Sequence, residues 1–418
     1  MIIPPFFLKP MAILQLTGSI ISLVCTTAAM ATDWPNYRGP QHDGISNETL
    51  WQTKWENEEP KIRWRTEVGI GSSSIVTHDG KAFTMGNHGN EDTGEKDTVY
   101  CLDAASGKIN WTHSYPCPRL PKYYEGGTLA TPTVDGNAIY TLSKMGDLFC
   151  LDISTGEVIW EQQLHRKLGF TLPTWHFSGS PLVVSDRIIL NMGSAGAAFD
   201  KHTGALLWDN GHEPCGYATP VPATFDDINS VLIGGADSVL GVSALDGQVL
   251  WRYPFFNKNK ANCGDPIVVG NMVFISSAYG RGCAKIQIIN NQVTQVFDNR
   301  VMRNLQSSSI LWKDYLYGFD DAQLKCIDFK DSTDQWQTKG FGKGSLSMCA
   351  DGRMLIMSDR GVLVIAQAKH EAFEEIVRTR FFPPRILCRT APVLSNGNLF
   401  LRNSEGALLC VDVSQKER

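Results

Sequence analysis

Eleven Cys and nine His carry the sharpest chemistry open to this 418-residue chain, and their spacing withholds most of it. There is no C-x-x-C, H-x-x-x-H or H-E-x-x-H, so thiols and imidazoles are not laid out as a paired metal site. No C-x-x-C-H offers attachment to a c-type haem. No G-x-S-x-G presents a nucleophilic serine, and no carboxylate pair stands out as acid and base. What remains is the chemistry of binding. Tyr123, Tyr124, Trp175, His176 and Tyr217 place aromatic faces and one titratable ring in long irregular segments, and Lys144, Asp265 and Arg281 add charge. Such a set suits stacking, hydrogen bonding and ion pairing with a ligand. The competing reading is that the rings pack the loops they occupy and that His176 is a satisfied loop histidine.

The elements that must position these residues come from an internal repeat. YCLDAASGKINW (100–111), FCLDISTGEVIW (149–160) and AAFDKHTGALLW (197–208) share one frame, in which Gly follows Asp by four positions and Trp follows Gly by four. GVSALDGQVLW (241–251) keeps the Gly–Trp half, KCIDFKDSTDQW keeps Asp328 and Trp336, and LCVDVSQK (409–416) keeps Cys410 and Asp412. Upstream of the copies lies a second piece, two short apolar runs around a tight turn, as in TPTVDGNAIYTLS (131–143) and APVLSNGNLFLRN (391–403). Asp-Gly and Asn-Gly between alternating apolar residues signal hairpins. Each unit therefore predicts four antiparallel strands, A to D, with the Asp-x-x-x-Gly turn joining C to D. Units fall at 72–115, 126–164, 177–211, 216–255, 262–302, 304–342, 344–382 and 389–416, the fifth and seventh being degenerate. The eighth lacks strand D, and KIRWRTEV (61–68) supplies it through Trp64. That closes a ring and leaves no sheet edge open. The expected fold is all-β, an eight-bladed propeller closed by an N-terminal strand, with Trp64, Trp111, Trp160, Trp208, Trp251 and Trp336 as packing residues.

In such a ring the A–B and C–D turns share one face, and the B–C turns and D-to-A crossings share the other. The first face is stereotyped in Gly-containing turns, which answer backbone demands. The second varies from blade to blade: CPRLPKYYEGG (117–127), HRKLGFTLPTWHFSG (165–179), GHEPCGY (211–217), FFNKNKANCGD (255–265) and FFPPRILCRT (381–390). Variable loops on a rigid scaffold are where a site belongs. The ligand-binding set is therefore Tyr124, Lys144, Trp175, His176, Tyr217, Asp265 and Arg281, with Tyr123, Tyr124, Trp175, His176 and Tyr217 as an aromatic lip and the three charges, Lys144 and Arg281 of them on B–C turns, nearer the channel mouth. Ser73, Thr131, Ser180, Thr219, Asp265, Ser308 and Thr390 begin the inner strands and give the channel a polar rim.

The cysteines divide accordingly. Cys101, Cys150, Cys326 and Cys410 occupy the same strand-C slot, and sheets stacked about 10 Å apart cannot be bridged, so these are buried thiols. Cys117, Cys215, Cys263 and Cys388 lie in crossing loops. An oxidising compartment permits a bridge between Cys215 and Cys263, and the spacing leaves that pairing open.

Length alone suggests two or three domains, which the repeat overrules. With 38 Lys+Arg against 43 Asp+Glu, a formal charge of −5 and no basic run, a nucleic-acid partner is not expected. Residues 11–31 are apolar and uncharged and end in Ala29-Met30-Ala31, a small-x-small pattern. Residues 1–31 thus read as a secretory signal peptide, 32–60 as an N-terminal extension and 61–418 as the propeller. No later run is long enough to span a bilayer, so export to the periplasm or outside the cell is expected, and a monomer is expected besides.

The frame D-x-x-x-G-x-x-x-W resembles the tryptophan-docking repeat of the pyrroloquinoline-quinone (PQQ) propeller superfamily, and DWPNYRGPQHDGIS (33–46) is similar to the opening of its exported bacterial members. The resemblance covers about 33–416 and implies the fold far more strongly than a function, since the superfamily holds both quinoprotein dehydrogenases and assembly scaffolds. It carries PQQ with Ca²⁺ as an expectation only for a dehydrogenase acting on an alcohol or sugar. Against that stand the missing adjacent Cys-Cys pair, the missing haem motif and no recognisable Glu/Asn/Asp set for Ca²⁺. The favoured reading is a non-catalytic binding or scaffold module, without cofactor or metal, presenting its variable face to a protein, peptide or glycan.

Overall fold

Short apolar runs separated by Gly-containing turns build eight four-stranded antiparallel blades in a computed structural model of the chain. The structure describes Met1 and residues 33–415 apart from 54, 56–59, 91, 123 and 256. The expected signal peptide and Tyr123 fall outside the described residues. The first seven blades span 76–116, 133–163, 182–209, 221–254, 267–299, 310–338 and 345–380. The eighth is made of Val393–Ser395, Asn398–Arg402 and Ala407–Asp412, with Ile62–Glu67 as its outer strand. Trp64 stands opposite Cys410 in that closing pair, so the N-terminal strand completes the last blade as the repeat predicts. The two degenerate units are complete blades as well, because backbone pairing tolerates a lost turn motif that packing alone does not require.

The repeat has a steric cause. The Trp of one blade lies on the turn Gly of the next: an added Cβ on Gly107, Gly156, Gly204 or Gly247 would come within 2.4–2.7 Å of the ring of Trp64, Trp111, Trp160 or Trp208. Those glycines also sit at φ of 71–78°, where L side chains are strained. The indole N–H then donates to the carbonyl just past the turn's Asp: Trp64 to Ala104, Trp111 to Ile153 and Trp160 to Lys201, at 3.0–3.1 Å. Blade five breaks the rule. Its strands turn through Asn290 and Asn291 alone, and the buried Trp251 Nε1 has no partner among the described residues. Across the sheet each docking Trp faces a small strand-C residue, Cys101, Cys150, Cys326 or Cys410 in four blades. All four are buried thiols, as expected. Ring closure is reinforced by Arg402, fully buried, which donates to Thr84 Oγ1 and to the carbonyls of Ser73 and Gly69. Burial alone pulls its pKa down to about 9.

Candidate functional site

The inner strands are laced to one another by the polar residues that begin them. Ser74 N–H donates to Thr131 Oγ1, Thr131 N–H to Ser180 Oγ and Ser180 N–H to Thr219 Oγ1. Thr219 N–H donates to Asp265 Oδ1 and Asp265 N–H to Ser308 Oγ, all at 2.8–3.1 Å. The expected polar rim is therefore structural first, a relay that ties blade to blade, with Ser74 in the place given to Ser73. Asp265 is the one member with a second oxygen to spare.

The N-terminal segment closes one end of the channel. Trp34 exchanges backbone hydrogen bonds with Thr77 of blade one, and Pro35 O accepts from Val134 N–H of blade two. Ile45–Ser46 then runs parallel to the inner strand Ser345–Cys349 of blade seven. Ser46 Oγ donates to Leu394 O in blade eight. Between these anchors the segment turns through positive φ at Arg38, Gly39, His42 and Gly44. Gly39 is needed twice over, since a Cβ there would lie 2.7 Å from the Trp34 ring. Arg38 donates to the carbonyls of His42, Asp43 and Ser309 and comes within 4.0 Å of Asp265.

A channel stoppered at one end is a blind pocket. A cavity of about 510 Å³ opens among the crossing loops, within the range of small-molecule sites. Trp34, Tyr37, Arg38 and Gly44 line its floor, with Asp265 and Cys263 beside them and Tyr124, Trp175, Tyr217 and Tyr279 among its walls. Burial, opposed only in part by Arg38, raises the Asp265 carboxyl to about 6. Burial likewise pushes the Tyr37 hydroxyl well above its usual range and the Cys263 thiol up to about 12.

Of the seven residues singled out in the sequence, four line this pocket: Tyr124, Trp175, Tyr217 and Asp265. The Trp175 ring stands edge-on to Tyr217 with centroids 5.5 Å apart, and Tyr217 Oη accepts from Trp175 N–H at 3.3 Å. His176 stands one shell behind, its Nδ1 3.3 Å from Tyr124 Oη. Burial, with Lys144 and Lys122 adding to it, lowers its pKa. The two remaining charges are placed differently from the sequence expectation. Lys144 is fully buried between blades, with Nζ 3.3 Å from Asp97 and 3.4 Å from Cys117 Sγ, because the buried Asp97 carboxylate needs a cation. Arg281 forks onto Asp298 through two 2.7 Å bonds and lies over the Phe255 ring, away from the pocket. Cys215 and Cys263 are both free thiols. Sequence reasoning missed Tyr37, Arg38, Tyr279, Lys343 and Arg389. The first two lie in DWPNYRGPQHDGIS, a segment legible as a family feature but without an assigned role.

The sequence profile described as "Outer membrane protein assembly factor BamB" matches residues 95–338. The chain is 32% identical over 125 residues to quinohemoprotein alcohol dehydrogenase ADH IIB of Pseudomonas putida, covering 26% of this chain and 17% of that protein. It is 29% identical over 168 residues to outer membrane protein assembly factor BamB of Moranella endobia, covering 37% of this chain and 39% of the relative. The matches thus span well under half of either relative. Among solved structures, quinohemoprotein alcohol dehydrogenase from Comamonas testosteroni superposes with a TM-score of 0.64 at 13% identity, over 92% of this chain and 81% of that one. Likeness at that identity concerns the fold.

Proposed function

The chain belongs to the PQQ-repeat propeller family described as outer membrane protein assembly factor BamB, and on that premise we propose that it is an exported, non-catalytic binding propeller working from its crossing-loop face. The observation that carries this reading is the blind pocket: the N-terminal segment stoppers the channel at the turn-rich face and leaves the variable face as its mouth. The family description denotes assembly rather than chemistry, which agrees with a face built to hold a partner. Export to the periplasm or beyond, action as a monomer, and a protein, peptide or glycan partner belong to the same proposal. Among the described residues no helix is long and apolar enough to cross a membrane.

The likeness to quinohemoprotein dehydrogenases favours one alternative, a PQQ-dependent oxidoreductase. Its pocket residues fit poorly. Among the described residues, only Asp265 and Asp359 bring carboxylates to the lining. One Asp265 oxygen is taken by Thr219 N–H and the other faces Arg38, while Asp359 accepts from Lys343 N–H. Calcium prefers six to eight oxygen ligands. No three His, Cys, Asp or Glu side chains converge as a metal site among the described residues.

Two measurements test the proposal. A photo-crosslinking residue in place of the exposed Lys343, on the pocket rim, is expected to trap partners in cells, whereas one in place of Thr203 on the opposite face is not. Crosslinks confined to position 203 would assign the wrong face. Addition of PQQ and Ca²⁺ is expected to leave no quinone absorbance on the desalted protein, and a retained band with dye-coupled alcohol oxidation would establish the alternative.

A further inference from the structure

We propose that the blind pocket receives the terminal unit of an uncharged saccharide chain, gripped at the floor by Asp265 and Arg38 and stacked at the mouth on Trp175 and Tyr217. This rests on the binding reading above and narrows it to one ligand chemistry.

The charges of the lining argue first. Arg389 is held by Glu125 at 3.2 Å and by Gln306, and Lys343 lies 3.7 Å from Asp321. Asp359 accepts from a backbone N–H and faces Arg360. Arg38 and Asp265 face each other. Among the described residues every cation of the lining already has a carboxylate beside it, which disfavours a polyanion, and a cationic head reaching Asp265 would meet Arg38 beside it. An apolar ligand would seal the carboxylate and guanidinium from water with nothing to bond, which is strongly unfavourable. The lining selects a ligand that is uncharged and rich in hydroxyls.

The floor supplies the matching contacts. Asp265 keeps one oxygen outside the blade relay, and Arg38 spends Nε and one terminal nitrogen on carbonyls, leaving Nη1 without a protein partner among the described residues. The guanidinium that carries this free nitrogen has its Nε 4.0 Å from Asp265 Oδ2, so acceptor and donor stand on neighbouring groups and suit two neighbouring hydroxyls, one donating to the carboxylate and the next accepting from the guanidinium, since every hydroxyl does both. At the mouth, the edge-on Trp175 and Tyr217 rings offer flat apolar faces with polar edges, which complement a sugar ring's C–H face and its hydroxyl rim. The stopper at residues 34–46 decides the direction of entry: no chain can thread the channel, so a polymer must present its end.

The test uses the full exported protein on an array of neutral hexose and N-acetylhexosamine oligosaccharides that also carries sialylated and sulfated glycans, followed by calorimetric titration of the best neutral tetramer. Binding is expected for neutral glycans, and extension at the recognised end should abolish it. Trp175→Ala and Asp265→Asn should each weaken binding at least tenfold with circular dichroism unchanged, whereas Thr203→Ala should not. Should Asp265→Asn misfold, Trp175→Ala alone carries the comparison. No neutral glycan bound, a preference for the acidic ones, or wild-type affinity in both variants would overturn the proposal. A blank array alongside crosslinks at position 343 would remove the saccharide and leave the binding face standing. A blank array without those crosslinks would remove both.

Discussion

Trp160→Ala probes the rule that builds the ring. The indole lies on Gly204 of the next blade, donates to Lys201 O at 3.0 Å and has its ring centroid 6.1 Å from that of Tyr140. Removing a core Trp costs about 3–5 kcal/mol. Trp160 is only partly buried, which places it at the low end, about 3 kcal/mol, of which the lost hydrogen bond accounts for about 1. Trp175→Ala, at the pocket mouth and outside the sheets, should cost under about 1 kcal/mol. Urea unfolding followed by far-ultraviolet circular dichroism reads both as midpoint shifts at unchanged slope. A double-mutant cycle sharpens the test. Gly204→Ala meets the indole at 2.6 Å in wild type but only its own φ of 71° once the ring is gone. The two changes should therefore couple by about 1 kcal/mol or more. Equal losses at Trp160 and Trp175, or an additive cycle, would refute the docking rule.

Three further outcomes follow from burial and closure. Asp265, facing Arg38, Tyr37 and Cys263, has its carboxyl raised from 3.8 to about 6. The native state then holds a proton the unfolded chain has lost, and stability should fall by about 2 kcal/mol as pH rises from 4 to 6 and by about 3 kcal/mol over the whole titration. Asp265→Asn should flatten that limb and stabilise the protein at pH 7.5, and parallel melting profiles for the two would contradict the burial argument. Lys144→Met leaves Asp97 buried without its cation and should cost about 3–5 kcal/mol, much of it recovered by adding Asp97→Leu. Loss of ligand capture at unchanged stability would instead return Lys144 to the pocket. Deleting residues 32–68 removes both stopper and closing strand, leaving the edge of Ala407–Asp412 unpaired. Aggregation or loss of a cooperative melt is expected, and a normal melt would mean that blade eight closes without the N-terminal strand.

The blades were legible because every rule that makes them is local or repeats at a fixed distance. An Asp-x-x-x-Gly turn needs a positive φ, its Gly must be bare to seat the preceding Trp, and the strand-C residue must be small where that Trp crosses it. Each demand leaves a letter at a set offset, so spacing alone yielded the eight units and the role of Trp64. Tyr124, Trp175 and Tyr217 were legible for the opposite reason: they break the repeat. The pocket floor leaves no such trace. Arg38 meets Ser309, 271 residues away, once in the chain and with no periodic copy to reveal it. Lys144 and Arg281 show the same limit in reverse. A turn between the second and third strands of a blade marks a side chain as near the variable face, yet whether it points into the pocket or away from it depends on where the nearest carboxylate stands. Asp97, buried in the neighbouring blade, decided that for Lys144, and Asp298, on the outer strand of the same blade, decided it for Arg281, and only the folded strands bring either pair within reach.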